Sequence, residues 1–457
     1  MLRANSRLRH LLGPAGVEFL EFASGAVQRI LPHAEVSPWK EKSWSPTRTV
    51  WTSNKRTEIE MEAAIGRKGV ADSRSLTAKV KRRRVPIVGG SAKQTLDIGE
   101  HDICKRVIDR MSEVLRLPTS EASEASLQAI RDSFDEHVIA HHVAQHHNLK
   151  LSVSGVFDAL HTLSEQSYEN RSLTFGCILD PNQEEGDSNV KFPADYIEAK
   201  KYKALSDGFR TAYHVSSDGR IVNFIDLDRY EEKPLTEKHY YPDWAEPIAR
   251  ASRSGKCGIA LSRQGDILVF DEGTLRFTYR YGRWQYWSHA HLLSLLKDRA
   301  RAQKVPAAIR GRVVGSIYRA AIDVSFRRCG GLFVILHNKK KLGDIVRSGD
   351  AIGDRGRGGK AVDREFDAVL QDHSIQSIPR SVVVELASLD GAIVLDNAGK
   401  ILAYGAVLQP KKTGRLMGIE GSRTKAAIGA SKYGLAVKVS ADGDITVYFN
   451  GKEFIRM

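Results

Sequence analysis

A single aspartate at the head of an apolar run is the residue whose type and place most suggest chemistry. Asp390-Gly391-Ala392 leads into Ile393-Val394-Leu395, and a carboxylate entering a buried strand is costly unless it is paired or used. Its oxygens suit a divalent metal ion or the proton of a hydroxyl group. Some thirty residues later, Gly421-Ser422-Arg423-Thr424-Lys425 sets a glycine, a hydroxyl and two cations before a helix expected over 426–431. Backbone amides at a helix start, beside guanidinium and ammonium groups, make a cradle for phosphate. An Asp-Gly turn and a basic helix start are each common; in this order and spacing they point to a carboxylate, with its metal, working beside bound phosphate.

Two further groups invite a functional reading. His137, His141, His142, His146 and His147 share one helix, with i, i+4 pairs able to hold a metal. They spread over several faces and have no cysteine beside them, so they read as a polar helix surface. Phe277, Tyr279, Tyr281, Trp284, Tyr286 and Trp287, interleaved with Arg276, Arg280 and Arg283, have the residue types that stack on bases. Their alternation at strand spacing favours a half-buried hairpin instead.

The elements that must carry these residues follow from hydrophobic periodicity. Apolar residues recur at helical spacing over 17–30, after which prolines and charges up to about residue 90 break the pattern, so residues 1–95 read as a helix and a basic linker. Residues 96–150 form a helical spacer, with segments expected over 103–115 and 125–147. Residues 151–290 alternate a helix, a short strand and hairpins marked by Asp-Gly and Gln-Gly turns. A basic helical connector runs over 289–305, and Pro306 opens a last domain, 306–457. The class expected is α/β, of mixed α+β type: a central mixed sheet flanked by helices in the last domain, with a similar lobe before it.

That similarity is an internal repeat. Helix, strand, hairpin and hairpin follow in the same order in both lobes. Leu389 to Leu402 aligns without a gap on Phe209 to Val222, and Ser440-Ala-Asp-Gly-Asp-Ile-Thr-Val447 on Ser262-Arg-Gln-Gly-Asp-Ile-Leu-Val269. The alignment puts Arg210 where Asp390 stands, and no Gly-x-Arg-x-Lys precedes the short helix of the first lobe. That copy lacks the chemistry of the second and reads as structural or sensory.

Composition narrows the remaining possibilities. A hydrophobic fraction of 42 % with 27 % charged residues over 457 positions implies folded domains rather than a disordered chain. Four scattered cysteines without a CxxC pair argue against a zinc ribbon or a disulfide framework, and suggest a reducing, cytoplasmic setting. No apolar run approaches the roughly 20 residues of a spanning helix, so neither membrane association nor a signal peptide is expected. A formal charge of +14 would attract nucleotides or nucleic acid. Much of the excess lies in the first hundred residues, notably Lys79-Val80-Lys81-Arg82-Arg83-Arg84, a solvated linker or a contact for nucleic acid.

The last domain resembles the diadenylate cyclase family, whose members carry Asp-Gly-Ala followed by Gly-Thr-Arg-His-Arg before a helix. The resemblance spans about 140 residues and includes Gly330-Gly-Leu-Phe-Val-Ile335 as a first strand. It implies condensation of two ATP into cyclic di-AMP and two pyrophosphates, with Mg2+ or Mn2+, in cyclase domains that meet face to face as a homodimer or higher oligomer, under regulation by the N-terminal lobes. Asp390 would be the catalytic, metal-linked carboxylate. Gly391 and Ala392 would let nucleotide approach the backbone, and Gly421, Ser422, Arg423, Thr424, Lys425 and Ser431 would complete nucleotide binding. Three motif features depart from the family: Thr424 replaces its histidine, Lys425 its second arginine, and Ala441-Asp442 its acidic pair. The alternative is therefore a weak or inactive pseudo-cyclase that senses a nucleotide or nucleic acid.

Overall fold

The computed structural model describes residues 6–43, 58–65, 74–82, 96–115, 124–183, 190–195, 205–230, 234–347, 349–352, 361–371, 373–410 and 421–456. This mixed α/β chain divides into two units. One comprises Met1–Arg84, Lys93–His239 and Trp244–Ser288; the other comprises Val85–Ala92, Tyr240–Asp243 and His289–Met457. Among the described residues no helix is long and apolar enough to cross a membrane.

In the first unit, α1 (Ser6–Ile30) buries Phe19, Leu20, Ala23, Ala26, Val27 and Ile30 along one face, as the 3.6-residue period requires. The stretch expected as a linker instead contains four strands: β1 (Ala34–Val36), β2 (Lys40–Ser43), β3 (Glu58–Ile65) and β4 (Arg74–Arg82). β4 pairs antiparallel with all three others. Charge at every second position hid the apolar face of these strands: Ile59, Met61, Ala78 and Val80 point inward while Glu58 and Glu60 stand opposite Lys81 and Lys79. Lys79 of the basic block is thus matched across the sheet by Glu60. Arg82 is buried and donates to Glu100; Arg83 and Arg84 lie outside the described residues.

The expected spacer packs into the same core. α2 (Ile98–Leu115) and α3 (Glu124–His146) contribute Ile103, Cys104, Val107, Met111, Phe134, Val138 and Ile139 to one cluster with α1 and the sheets. Arg29 binds Asp135 through two bonds of 2.6 and 2.8 Å. After α4 (Val153–Ser164) and the small hairpin β5 (Ser167–Tyr168) and β6 (Arg171–Ser172) come β7 (Phe175–Asp180), β8 (Thr211–Ser216), β9 (Ile221–Asp226), α5 (Glu246–Ala251), β10 (Cys257–Leu261), β11 (Ile267–Asp271), β12 (Thr274–Arg280) and β13 (Arg283–Tyr286). The sheet runs β13-β12-β11-β10-β7-β8-β9, with only β7 and β8 parallel. The aromatic series occupies β12, β13 and their flanks. Phe277, Trp284, Tyr286 and Trp287 are buried and Tyr281 is exposed at the turn.

The second unit consists of α6 (His289–Ala302), α7 (Ala307–Arg327), β14 (Gly331–Leu336), α8 (Ala361–Leu370), α9 (Arg380–Ser388), β15 (Ala392–Leu395), β16 (Ile401–Ala406), α10 (Ser422–Ala430), β17 (Gly434–Val439), β18 (Ile445–Phe449) and β19 (Lys452–Arg456). Its sheet runs β16-β15-β14-β17-β18-β19, again with one parallel pair, β14 and β15. Strand for strand this is the order β9-β8-β7-β10-β11-β12 of the first unit.

The repeat extends to single hydrogen bonds. Ser440 N–H donates to Asp444 O and Gly443 N–H to Ser440 O, each at 2.9 Å; Ser262 and Gly265 repeat the pair at 2.8 and 3.0 Å. Gly443 and Gly265 take φ of 93° and 79°, the left-handed conformation such turns need. Resemblance between the lobes therefore reflects a shared topology and shared turns, beyond the occurrence of glycine in hairpins.

Candidate active site

Asp390 is held by the two elements on either side of it. α9 is fixed at its first residue, where Arg380 donates to the buried Asp323 of α7 at 2.6 and 2.7 Å and to Tyr241 O at 2.6 Å. Three residues past the end of α9 the chain turns at Gly391, with φ of 133°. A Cβ there would lie 2.3 Å from the backbone carbon of Gly405, so only glycine lets the turn press against β16 before Ala392 enters the buried β15. Asp390 is left fully exposed at the head of the strand, its side chain 103 % accessible.

The phosphate-cradle motif lies nearer the helix than its sequence suggests. Gly421 is the cap residue, without a side-chain capping bond, and Ser422, Arg423, Thr424 and Lys425 form the first turn of α10 itself. Helix starts present amides that lack intrahelical partners, and here no acidic side chain occupies the first turn. Gly421, Ser422 and Lys425 are exposed.

Arg423 joins the two motifs. Its guanidinium reaches back over Gly330, at the head of β14, where a Cβ would stand 2.6 Å from Nη1. Its Nη2 lies 3.5 Å from Asp390 Oδ1. Arg423 Nε is buried without a hydrogen-bond partner among the described residues. At 3.5 Å the contact is longer than a strong charge-assisted bond, so both groups retain capacity for a ligand.

Thr424 and Ser431 have other attachments. Thr424 Oγ1 accepts from Lys438 Nζ at 3.0 Å. Lys438, in the apolar run of β17, was not among the residues singled out from sequence, although a cation inside Gly434–Val439 is as out of place as Asp390. Burial first, then Arg456, holds its ammonium below the usual lysine range, while Asp442, Asp444 and Glu453 act in the opposite direction. Asp442 is held below the usual carboxylate range, chiefly by a hydrogen bond from Ser440.

Ser431 is wholly buried. Its hydroxyl donates to Ile428 O at 2.8 Å and accepts from Gly451 N–H at 2.9 Å, and its carbonyl accepts from Asn450 N–H at 3.0 Å. Ser252 makes the same contacts in the first unit, with Ala249 O, Gly273 N–H and Glu272 N–H. A clasp present in the copy without the aspartate belongs to the fold. The structure thus gathers Asp390, Gly391 and Arg423 in one place, with Gly421, Ser422 and Lys425 on the same helix turn as Arg423, and leaves Ser431 and the buried Ala392 as supports.

The donor set suits a hard divalent cation such as Mg2+ or Mn2+, which takes oxygen ligands and commonly shares one carboxylate with substrate phosphates. Asp390 offers two unburied oxygens for that purpose.

No protein-family model and no curated protein matches the chain. Among solved structures, a hypothetical membrane-spanning protein from Bacillus cereus aligns at 20 % identity over 36 % of this chain and 74 % of its own, with a TM-score of 0.25. A double mutant of DacA from Staphylococcus aureus aligns at 22 % identity over 33 % and 90 %, with a TM-score of 0.22.

Proposed function

We propose that the second unit is a diadenylate cyclase, joining two ATP into cyclic di-AMP with release of two pyrophosphates. The observation that carries the reading is the 3.5 Å approach of Arg423 to Asp390, residues 33 positions apart. Two motifs that are individually common meet at one exposed point. In each half-reaction a ribose 3′-hydroxyl attacks the α-phosphorus of the other ATP, and pyrophosphate leaves. Asp390 Oδ1 and Oδ2 accept the hydroxyl proton or hold the divalent cation, whose contribution when bound is to polarise the α-phosphate and favour the alkoxide. Arg423, Lys425 and the first amides of α10 bind the triphosphate and orient its α-phosphorus.

A second reading, a protein that binds a nucleotide without turning it over, is favoured by the Lys438 bond to Thr424, which occupies the position of the family histidine. Incubating the chain with ATP and Mg2+ or Mn2+ and separating the products by chromatography decides between them. Cyclic di-AMP supports the cyclase; ATP binding without any product supports the sensor.

A further inference from the structure

The end of α3 in the first unit carries a second group of potential ligands. His146 is the last residue of the helix, His147 follows it, and Asn148 ends the turn with φ of 50°. Asp271 arrives from the end of β11, more than a hundred residues away in sequence. One ligand atom from each of the three lies within 4.8 Å of the others. His146 Nε2 is 3.7 Å from Asp271 Oδ2, and His147 Nε2 is 3.7 Å from Asp271 Oδ1.

His147 is the informative member. Its Nδ1 lies 3.0 Å from the carbonyl of Gly255, and a carbonyl can only accept, so the ring proton sits on Nδ1. In the neutral ring Nε2 is then a bare lone pair facing a carboxylate oxygen, two acceptors with no proton between them. His147 is buried, 6 % exposed, so its ring is held in this orientation. A histidine whose Nδ1–H is anchored to a backbone carbonyl, leaving Nε2 free to ligate, is the arrangement by which proteins orient metal-binding imidazoles.

We propose that His146, His147 and Asp271 bind one divalent transition-metal ion of the Zn2+ type, with solvent at a fourth position on the side of the half-exposed His146. Two imidazoles and one carboxylate suit such borderline ions and not Mg2+. Tetrahedral ligation at about 2.0–2.2 Å places ligand atoms roughly 3.4 Å apart, a small side-chain rotation from the present distances. Arg276 Nε, 3.3 Å from Asp271 Oδ2, orients the carboxylate and leaves Oδ1 toward His147. The gap-free alignment of the hairpins puts Phe449 at the position of Asp271, so the site belongs to the first unit alone and is independent of the cyclase chemistry.

The test is calorimetry of the tag-free, full-length chain, stripped with a chelator and titrated with Zn2+ in excess Mg2+, beside thermal melts with and without Zn2+. One equivalent should bind and raise the melting temperature. His146→Ala, at an exposed position that keeps the fold, should weaken binding at least about 10-fold, as should Asp271→Asn, while His141→Ala should not. Absence of a stoichiometric Zn2+ site in the wild type would overturn the proposal and leave a protonated histidine paired with Asp271. Undiminished affinity in a folded His146→Ala chain would overturn it equally.

Discussion

At the scale of the residue, exposure separates the groups available for chemistry from those that hold the fold. Asp390 is fully accessible and makes, among the described residues, only the long contact to Arg423, so Asp390→Asn should leave the melting temperature unchanged. It should reduce cyclic di-AMP formation by at least ~100-fold, the lower end of what a positioned proton acceptor contributes, before the loss of a metal ligand is counted. Comparable product in the mutant would refute the assignment. Arg423→Ala removes a guanidinium placed over a glycine rather than packed among apolar side chains. ATP affinity measured by calorimetry should fall by about 10-fold or more, since a charge-assisted bond contributes roughly 1.5–3 kcal/mol, while the thermal melt shifts little. Unchanged affinity would remove Arg423 from the cradle.

At the scale of the element, the clasp of Ser431 and its counterpart Ser252 ties the end of a helix to the tip of a hairpin in both units. Ser431→Ala leaves Gly451 N–H without its acceptor in a buried setting. It should cost about 1–3 kcal/mol in denaturant unfolding and spare ATP affinity. Ser252→Ala should show a similar stability loss. A Ser431→Ala chain that keeps its stability but loses ATP would return the serine to the nucleotide site. The buried pair of Arg82 and Glu100 behaves differently. Burial first and Asp97 second push the Glu100 carboxyl up to about 7 despite Arg82. Because this folded value lies above the unfolded one, its contribution to stability is fully present below pH 4.5 and declines as pH rises toward 7. Denaturation midpoints across that window should fall with pH in the wild type and vary less in Glu100→Gln.

At the scale of the whole molecule, the stoichiometry of the proposed reaction sets a requirement. Two phosphodiester bonds would form, each with its own nucleophile and phosphate cradle, and one copy of the second unit holds a single set. The first unit shares the sheet order but presents Arg210, exposed at the strand head. Its turn is closed by Asp207 Oδ1, which accepts from the amides of Phe209, Arg210 and Thr211. With that carboxylate engaged in a backbone turn, the first unit offers no second half-site, and productive synthesis should need two chains related by a two-fold axis. Specific activity should rise with protein concentration in the dilute range, and excess Asp390→Asn chains should depress wild-type activity. Constant specific activity from a demonstrated monomer would refute this.

The sequence by itself determined the succession of helix, strand and hairpins and the repeat, because buried strands must be apolar and hairpin tips need glycine; Leu389 to Leu402 and Phe209 to Val222 were legible without coordinates. It also marked Asp390 and the cations near 423, since a charge in an apolar run stands out locally. Lys438 carried the same signal in Gly434–Val439 and went unread. Tertiary structure alone decided the rest. The strands of residues 34–82 were hidden because their charges are balanced across the sheet, by partners such as Glu60 and Lys79 that pairing brings together. Ser431 stood out only by family resemblance, and the closure of a hairpin by its hydroxyl is visible only in the fold. Asp271 joined His146 and His147 only through the packing of α3 on the sheet, because side-chain chemistry is written locally while the company a side chain keeps depends on contacts between distant segments.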